Sequence, residues 1–339
     1  YYKYSNNNDD TFSKKEKRKE YRLLAFVAKG KGIFKFLIVI GSLLTVLVIF
    51  LVSYVIFDSN IYDELYSKIE VTAHRGNSTV TMPNTIPAFK EAIKEGADYG
   101  ELDVRQTKDN VIVVTHDASL KEMTGQDINV RDLTYEELQK IPCIEVNGNK
   151  CTVPKLEDVI NVCKGKIKLN IEIKTGNNDS EDFVSDVVKI IENTDFVDKC
   201  VVTSLDYRAL RKVKECNPKI KTGYIMAVAM GDFYDLPCVD FFRMETTFVN
   251  GRVVERAHKL NKEIHVWTVN DDDSLKKCVE LEVDNIITDN VAGAKSAIAT
   301  HGDDVFSIVL NQLKESDNSK ENIKKTNRIL EDVTGIEGA

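Results

Sequence analysis

The sequence predicts an α/β fold: a closed (β/α)8 TIM barrel with a small insert, preceded by one N-terminal transmembrane helix. Three observations carry this expectation. Short strand-like runs alternate with amphipathic helical patterns from about residue 70 to residue 300. The alternation repeats eight times in nearly the length that such a barrel needs, roughly 250 residues. A charge-free stretch of 22 residues, 36–57, stands ahead of the first run.

In order, the strand-like runs are VTAH (71–74), YGELDV (99–104), KLNIEI (168–173), CVVTSL (200–205), KTGYIM (221–226), VDFFRM (239–244), IHVWTV (264–269) and NIITD (285–289). Helical patterns fall between them at 85–97, 181–194, 207–217, 253–261 and 272–282. In the first of these, Ile86, Phe89 and Ile93 share one helical face and Gly96 is placed to stop the helix. Strands alternating with helices imply parallel pairing through crossover connections. VIVVTH (111–116) follows YGELDV too closely for a crossover helix, and TKDN between them reads as a turn. The pair is therefore expected to form a hairpin arm at the barrel's mouth. Residues 118–165, with turn and short-helix signals, read as an insert within a barrel domain covering 70–300. Residues 58–69 read as a linker and 301–339 as a polar tail.

The stretch FLIVIGSLLTVLVIFLVSYVIF (36–57) is apolar on every face. As a helix it reaches about 33 Å, enough to cross a hydrocarbon core of roughly 30 Å. Basic residues crowd its N-terminal flank, 1–35, whereas Asp58, Asp63 and Glu64 follow it. The positive-inside rule then leaves 1–35 in the cytoplasm and places the barrel outside the cell. The sequence opens without a methionine, so 1–35 is read as the start of a fragment. A net charge of −8, with no basic domain, argues against a nucleic-acid partner. The seven cysteines are scattered without a C-x-x-C pair, and are read as core or surface thiols.

Barrel enzymes carry their chemistry at the C-terminal ends of the strands. Here those ends hold His74-Arg75, Glu101 with Asp103, His116-Asp117, and Glu172 with Lys174. Alternation puts Glu101 and Asp103 on one face, and Glu172 faces inward from the next barrel strand. Three carboxylates without a cysteine or histidine cluster form the ligand set of a hard divalent cation, Mg²⁺ or Ca²⁺. His74 and His116 beside that set make a general acid and base pair, while Arg75 and Lys174 suit an anionic group. Together these groups describe phosphodiester cleavage. His258, His265 and His301 read as structural, and Asp109 as a turn residue.

Taken in order, AHRG (73–76), NT-x-x-AF (84–89), GAD-x-x-ELDV (96–104), T-x-D (107–109), V-x-x-HD (113–117), N-x-E-x-K (170–174), VWTVN (266–270) and VD-x-IITD (283–289) resemble the glycerophosphodiester phosphodiesterase family. The basic flank and apolar stretch further resemble its membrane-anchored bacterial branch. The resemblance implies a barrel that hydrolyses glycerophosphodiesters to sn-glycerol 3-phosphate and an alcohol with a divalent cation. It places Glu101, Asp103 and Glu172 on metal-ligand positions and His74 and His116 on acid/base positions. Arg75 and Lys174 fall on phosphate-contact positions, and Trp267 near the glycerol site. Glu245 is a further candidate substrate contact. Two alternatives stay open: a lysophospholipase D or wall-polymer hydrolase on the same site, and an inactive tethered binding module. The latter is suggested by Pro83, which stands in MPNT (82–85) where the family carries a glutamate.

Overall fold

The computed structural model describes residues 16–19, 21–22, 44–50, 69–226 and 233–300. The chain divides into two units, 1–62 and 63–339. In the first unit, 16–19, 21–22 and 44–50 are helical. No helix among the described residues is long and apolar enough to cross a membrane. The predicted span at 36–57 lies outside the described residues except for 44–50, and so do the tail at 301–339 and nearly all of the linker.

The second unit is built on one sheet, in which β1 (Glu70–Ala73) pairs in parallel with both β9 (Asn285–Thr288) and β2 (Tyr99–Gln106). The ring runs β1, β2, β4 (Lys168–Ile173), β5 (Cys200–Ser204), β6 (Lys221–Met226), β7 (Phe241–Glu245), β8 (Glu263–Trp267), β9 and back to β1. This is the closed parallel barrel expected from the alternation. The exception is β3 (Ile112–Val114), antiparallel to β2 with Val104 opposite Val114 and Gln106 opposite Ile112. The TKDN turn brings the chain back along β2, and the Thr115 amide donates to the Asp103 carbonyl at 2.9 Å.

Strand alternation separates two environments. Leu102 and Val104 of β2, Leu169 and Ile171 of β4, and Val202, Phe242, Ile264 and Ile286 enter the main apolar core with the helices. Those helices are α1 (Ile86–Lys94), α4 (Leu156–Cys163), α5 (Phe183–Asn193), α6 (Tyr207–Cys216), α7 (Gly251–Lys259) and α8 (Asp272–Glu280), with a further helix at 291–300. The complementary positions face the lumen, which is polar: Thr72 Oγ1 donates to Asn285 Oδ1 at 2.7 Å, and Thr203 Oγ1 to Asn170 Oδ1 at 2.9 Å. Gly223 of β6 lets the Phe241 ring lie across the lumen floor, since a Cβ there would sit 2.1 Å from the ring. No helix bridges β6 and β7 among the described residues; Phe233, stacked on Tyr234 at 4.2 Å, packs edge-on against Phe242 at 5.0 Å instead.

The region expected as an insert, 118–165, has two parts. Its first part carries α2 (Lys121–Thr124) and α3 (Tyr135–Leu138), the latter opened by a capping box between Thr134 and Glu137. Leu120, Met123, Leu138, Cys143 and Val153 form a small core of their own with Met82 and Val113. Its last part, α4, instead buries Leu156, Val159, Ile160 and Cys163 in the main core. That helix is the barrel's own crossover between β2 and β4, so the insertion proper ends before it.

Candidate active site

The mouth is organised by the register of two neighbouring strands. Asp103 of β2 lies opposite Glu172 of β4, and Glu101 opposite Asn170, so the acids at 101, 103 and 172 converge on one side of the lumen. One oxygen from each lies within 4.8 Å of the others. Glu101 and Asp103 are 1% exposed and Glu172 is 3% exposed. Buried carboxylates are tolerated only with partners, and each has them. Glu101 Oε2 accepts from the Arg75 amide at 2.9 Å, and its Oε1 from Arg243 Nη1 at 3.0 Å. Arg243 Nη1 also donates to Glu172 Oε2 at 2.9 Å. Asn84 Nδ2 donates to Asp103 Oδ2 at 2.9 Å. Lys174 pairs with Glu172 and sits 3.3 Å from Asp103 Oδ1, while Arg75 Nε is 3.7 Å from Asp103 Oδ2.

Asp103 Oδ1 is buried and, apart from its ion pair with Lys174 Nζ at 3.3 Å, makes no hydrogen bond among the described residues. An all-carboxylate donor set that keeps one inward oxygen free of hydrogen bonds fits a hard divalent cation of the Mg²⁺ or Ca²⁺ kind. The two facing acids are driven apart electrostatically. Burial opposes ionisation of Asp103, yet Lys174, His116, Asn84 and Arg75 outweigh it and hold the group below its ordinary value. Burial pushes Glu172 up, and the neighbouring Asp103 and Glu101 charges reinforce it against Arg243 and Lys174.

Each histidine is fixed through Nδ1. His74 follows β1, its amide donating to the Thr288 carbonyl at 2.9 Å, and its Nδ1 faces Asp289 Oδ1 at 2.9 Å. Asp289 is itself held by Ser78 Oγ at 2.9 Å and Asn270 Nδ2 at 2.7 Å. Partial burial works against its ionisation, but these donors and His74 bring it down to about 2. His116 returns to the mouth on the hairpin arm, with Nδ1 at 2.8 Å from Asp117 Oδ1. A carboxylate on Nδ1 selects the tautomer and leaves Nε2 for proton transfer. Between His74 and α1, Arg75 and Gly76 both take positive φ (52° and 75°), and a Cβ on Gly76 would lie 2.7 Å from Ala88 Cβ. The sharp turn that presents His74 and the Arg75 amide therefore depends on glycine at 76.

The remaining predicted residues divide. Trp267 ends β8 with its ring under the Arg243 guanidinium, 5.3 Å from centroid to Cζ. Glu245, expected as a substrate contact, ends β7 with its carboxylate accepting from the Thr247 amide at 3.1 Å, which caps the next turn. Asp109 is confirmed as a turn residue, accepting from Thr107 Oγ1 at 2.6 Å and the Tyr135 amide at 3.0 Å. His258 pairs with Asp284 on the surface at 2.8 Å, and His265 stacks on Phe241 at 3.9 Å, both structural. His301 lies outside the described residues. Pro83 lines a small cleft with Arg75, Asn84, His116 and Glu122.

Three residues of the site escaped the sequence reading: Asn84, Arg243 and Asp289. Asp289 closes the IITD run and Asn84 stands in MPNT, so both lay inside motifs without a role attached. Arg243 left a clearer trace, as a lone cation inside an apolar strand, VDFFRM.

A parallel barrel with paired histidines over a buried acidic cluster at its mouth defines a hydrolytic enzyme for an anionic substrate. Residues 74–292 match the family described as Glycerophosphoryl diester phosphodiesterase family. The chain belongs to that family, and is an enzyme of the phosphoric diester hydrolase class. It is 31% identical over 230 residues to the glycerophosphodiester phosphodiesterase of Caldanaerobacter subterraneus subsp. tengcongensis, covering 66% of this chain and 95% of that one. The crystal structure of the glycerophosphodiester phosphodiesterase from Thermotoga maritima shares 28% identity and a TM-score of 0.54, covering 66% of this chain and 96% of that one. An Oleispira antarctica phosphodiesterase, solved with the product sn-glycerol-3-phosphate, shares the fold at a TM-score of 0.64 and 23% identity, covering 69% of this chain and 99% of that one.

Proposed function

We propose that the chain hydrolyses glycerophosphodiesters to sn-glycerol 3-phosphate and an alcohol, using one divalent cation, Mg²⁺ or Ca²⁺, held by Glu101, Asp103 and Glu172. The observation that carries this reading is the convergence of three ligand oxygens within 4.8 Å beside two histidines, each oriented through Nδ1 by a carboxylate. When bound, the cation supplies neutralisation of charge on the phosphoryl oxygens. Arg75 and Lys174, at the rim of the acids, turn to the non-bridging oxygens of the substrate. One of His74 and His116 takes a proton at Nε2 from the attacking water as its oxygen adds to phosphorus. The other gives its Nε2 proton to the departing alcohol oxygen as that P–O bond breaks. Trp267 forms an apolar wall for the glycerol end.

The reading places the enzyme on a membrane through residues 36–57, with the barrel outside the cell. Its support is the basic flank at 1–35 and the apolar side chains of Leu44, Val46, Leu47, Val48, Ile49 and Phe50, each more than half exposed in the helical stretch 44–50. A helix apolar on all its faces belongs in lipid or in the core of a large protein.

The test is turnover by the full chain in detergent on glycerophosphocholine, lysophosphatidylcholine and a glycerophosphate polymer, with and without EDTA, following glycerol 3-phosphate. Release from glycerophosphocholine that EDTA abolishes is expected. Metal-independent turnover overturns the carboxylate assignment. No turnover on any substrate with Mg²⁺ or Ca²⁺ present leaves the binding-module alternative. Preferred turnover of lysophosphatidylcholine selects the lysophospholipase D alternative; mouse lysophospholipase D is a relative at 26% identity, covering 64% of this chain and 82% of that one.

A further inference from the structure

Arg243 is the feature of the mouth that the proposed chemistry does not use. It rises from β7, which stands four strands from β2 around the ring and so faces it across the lumen. The side chain crosses that lumen and is 2% exposed. Its Nη1 bridges Glu101 Oε1 at 3.0 Å and Glu172 Oε2 at 2.9 Å. The guanidinium lies against the Trp267 ring, and its Nε has no hydrogen-bond partner among the described residues. Filling a barrel lumen needs only branched apolar side chains, so packing alone does not call for a buried guanidinium with an orphaned N–H. What the position does call for is charge. Three buried carboxylates face Arg75 and Lys174 on the mouth side, where those side chains are 20% and 14% exposed. Arg243 is a further cation, placed across the lumen from β2 and too enclosed to reach a substrate at the mouth.

We propose that Arg243 is a built-in counter-cation and positioning residue, holding Glu101 and Glu172 in ligand orientation and keeping the affinity for the divalent cation moderate. The proposal rests on the metal site proposed above. The guanidinium occupies one oxygen of each glutamate, Glu101 Oε1 and Glu172 Oε2; the other oxygens face the Arg75 amide and Lys174 on the mouth side, and it is these that an incoming ion would share. The guanidinium also keeps the acids together when no ion is bound, where their mutual repulsion would otherwise spread them. The same fixed charge repels an incoming divalent ion. Between a single and a double charge separated by one carboxylate group, that repulsion exceeds a decade in binding constant even at a high effective dielectric. Removing the charge therefore tightens metal binding, the reverse of what losing a mere structural prop would do.

The experiment is titration calorimetry of the EDTA-stripped full chain in detergent with MgCl2 and CaCl2, for wild type, Arg243→Met and Arg243→Lys, with thermal melts alongside. Arg243→Met keeps bulk and removes charge; it is expected to bind the ion at least tenfold more tightly than wild type, and to melt lower in EDTA but recover with the ion. Arg243→Lys keeps charge and loses the fork; its Kd is expected within about threefold of wild type. Folding of Arg243→Met only when the ion is present supports the proposal too. An equal or weaker Kd in Arg243→Met, or failure to fold in either condition, overturns it while leaving the metal site standing. No binding by wild type or either variant overturns the metal site itself and this inference with it.

Discussion

Replacing Asp289 by asparagine keeps the shape of the side chain that orients His74 but removes its charge and one acceptor. In the structure Asp289 Oδ1 accepts from His74 Nδ1 and Ser78 Oγ, both at 2.9 Å, and Oδ2 from Asn270 Nδ2 at 2.7 Å. An asparagine can keep one of these two sides, and its NH2 must face a donor on the other. With the amide oxygen toward Asn270, the NH2 meets His74 and favours the tautomer with its proton on Nε2, where the reaction needs it to move. A hydrogen bond to a charged group contributes about 1.5–3 kcal/mol, and Asp289 is 30% exposed, which takes the middle of that range at most. About 2 kcal/mol lost from the transition state corresponds to roughly a 30-fold fall in kcat. The assay is steady-state release of glycerol 3-phosphate from glycerophosphocholine at saturating Mg²⁺, with thermal melts of both proteins. We expect kcat to fall about 10- to 100-fold with KM changed less than threefold. A kcat within twofold of wild type in a folded variant refutes the argument that Asp289 sets the state of His74.

His74→Ala and His116→Ala are each expected to lower kcat by at least about 100-fold, the scale of a lost proton-transfer group, in the same assay. Asp103→Asn removes the acid whose buried Oδ1 has only its ion pair with Lys174, and should weaken Mg²⁺ or Ca²⁺ binding at least about tenfold by calorimetry. Gly223→Ala drives a methyl into the Phe241 ring, where the Cβ contact would be 2.1 Å; a loss of about 1–3 kcal/mol in urea unfolding is expected. Asp289 and Glu263 are each lowered to about 2, from ordinary values of 3.8 and 4.5. Depressed carboxylates contribute stability that is fully present above those ordinary values and lost as pH falls through about 2. With each discounted for exposure to about 1 kcal/mol, Asp289→Asn with Glu263→Gln should flatten the decline in unfolding free energy between pH 5 and pH 2 by about 2 kcal/mol.

Much of the barrel was legible because its signals are local. The runs 168–173 and 221–226 coincide with β4 and β6, and the hairpin reading of 111–116 holds because TKDN leaves too few residues for a crossover. The insert expected at 118–165 runs too long at its end, where α4 carries the same apolar spacing as any other short helix. Only its packing against the main core assigns it to the barrel. Glu245 illustrates a different limit. Its place at a strand end was read correctly, but the cap it makes to the Thr247 amide two residues on was not foreseen.

The sequence by itself determined the alternation of strands and helices, the acids on the inner face of β2 and β4, and the histidines at strand ends. All of these follow from period-two and helical spacing along a single segment. The tertiary structure decided what those residues meet. Asp289 reaches His74 across 215 positions of sequence, and Arg243 reaches Glu101 across 142. Contacts of that separation exist only once the ring closes between β1 and β9, because closure sets which strands face one another across the lumen. So the acids could be read from local periodicity, whereas the arginine that bridges them and the carboxylate beside His74 could not.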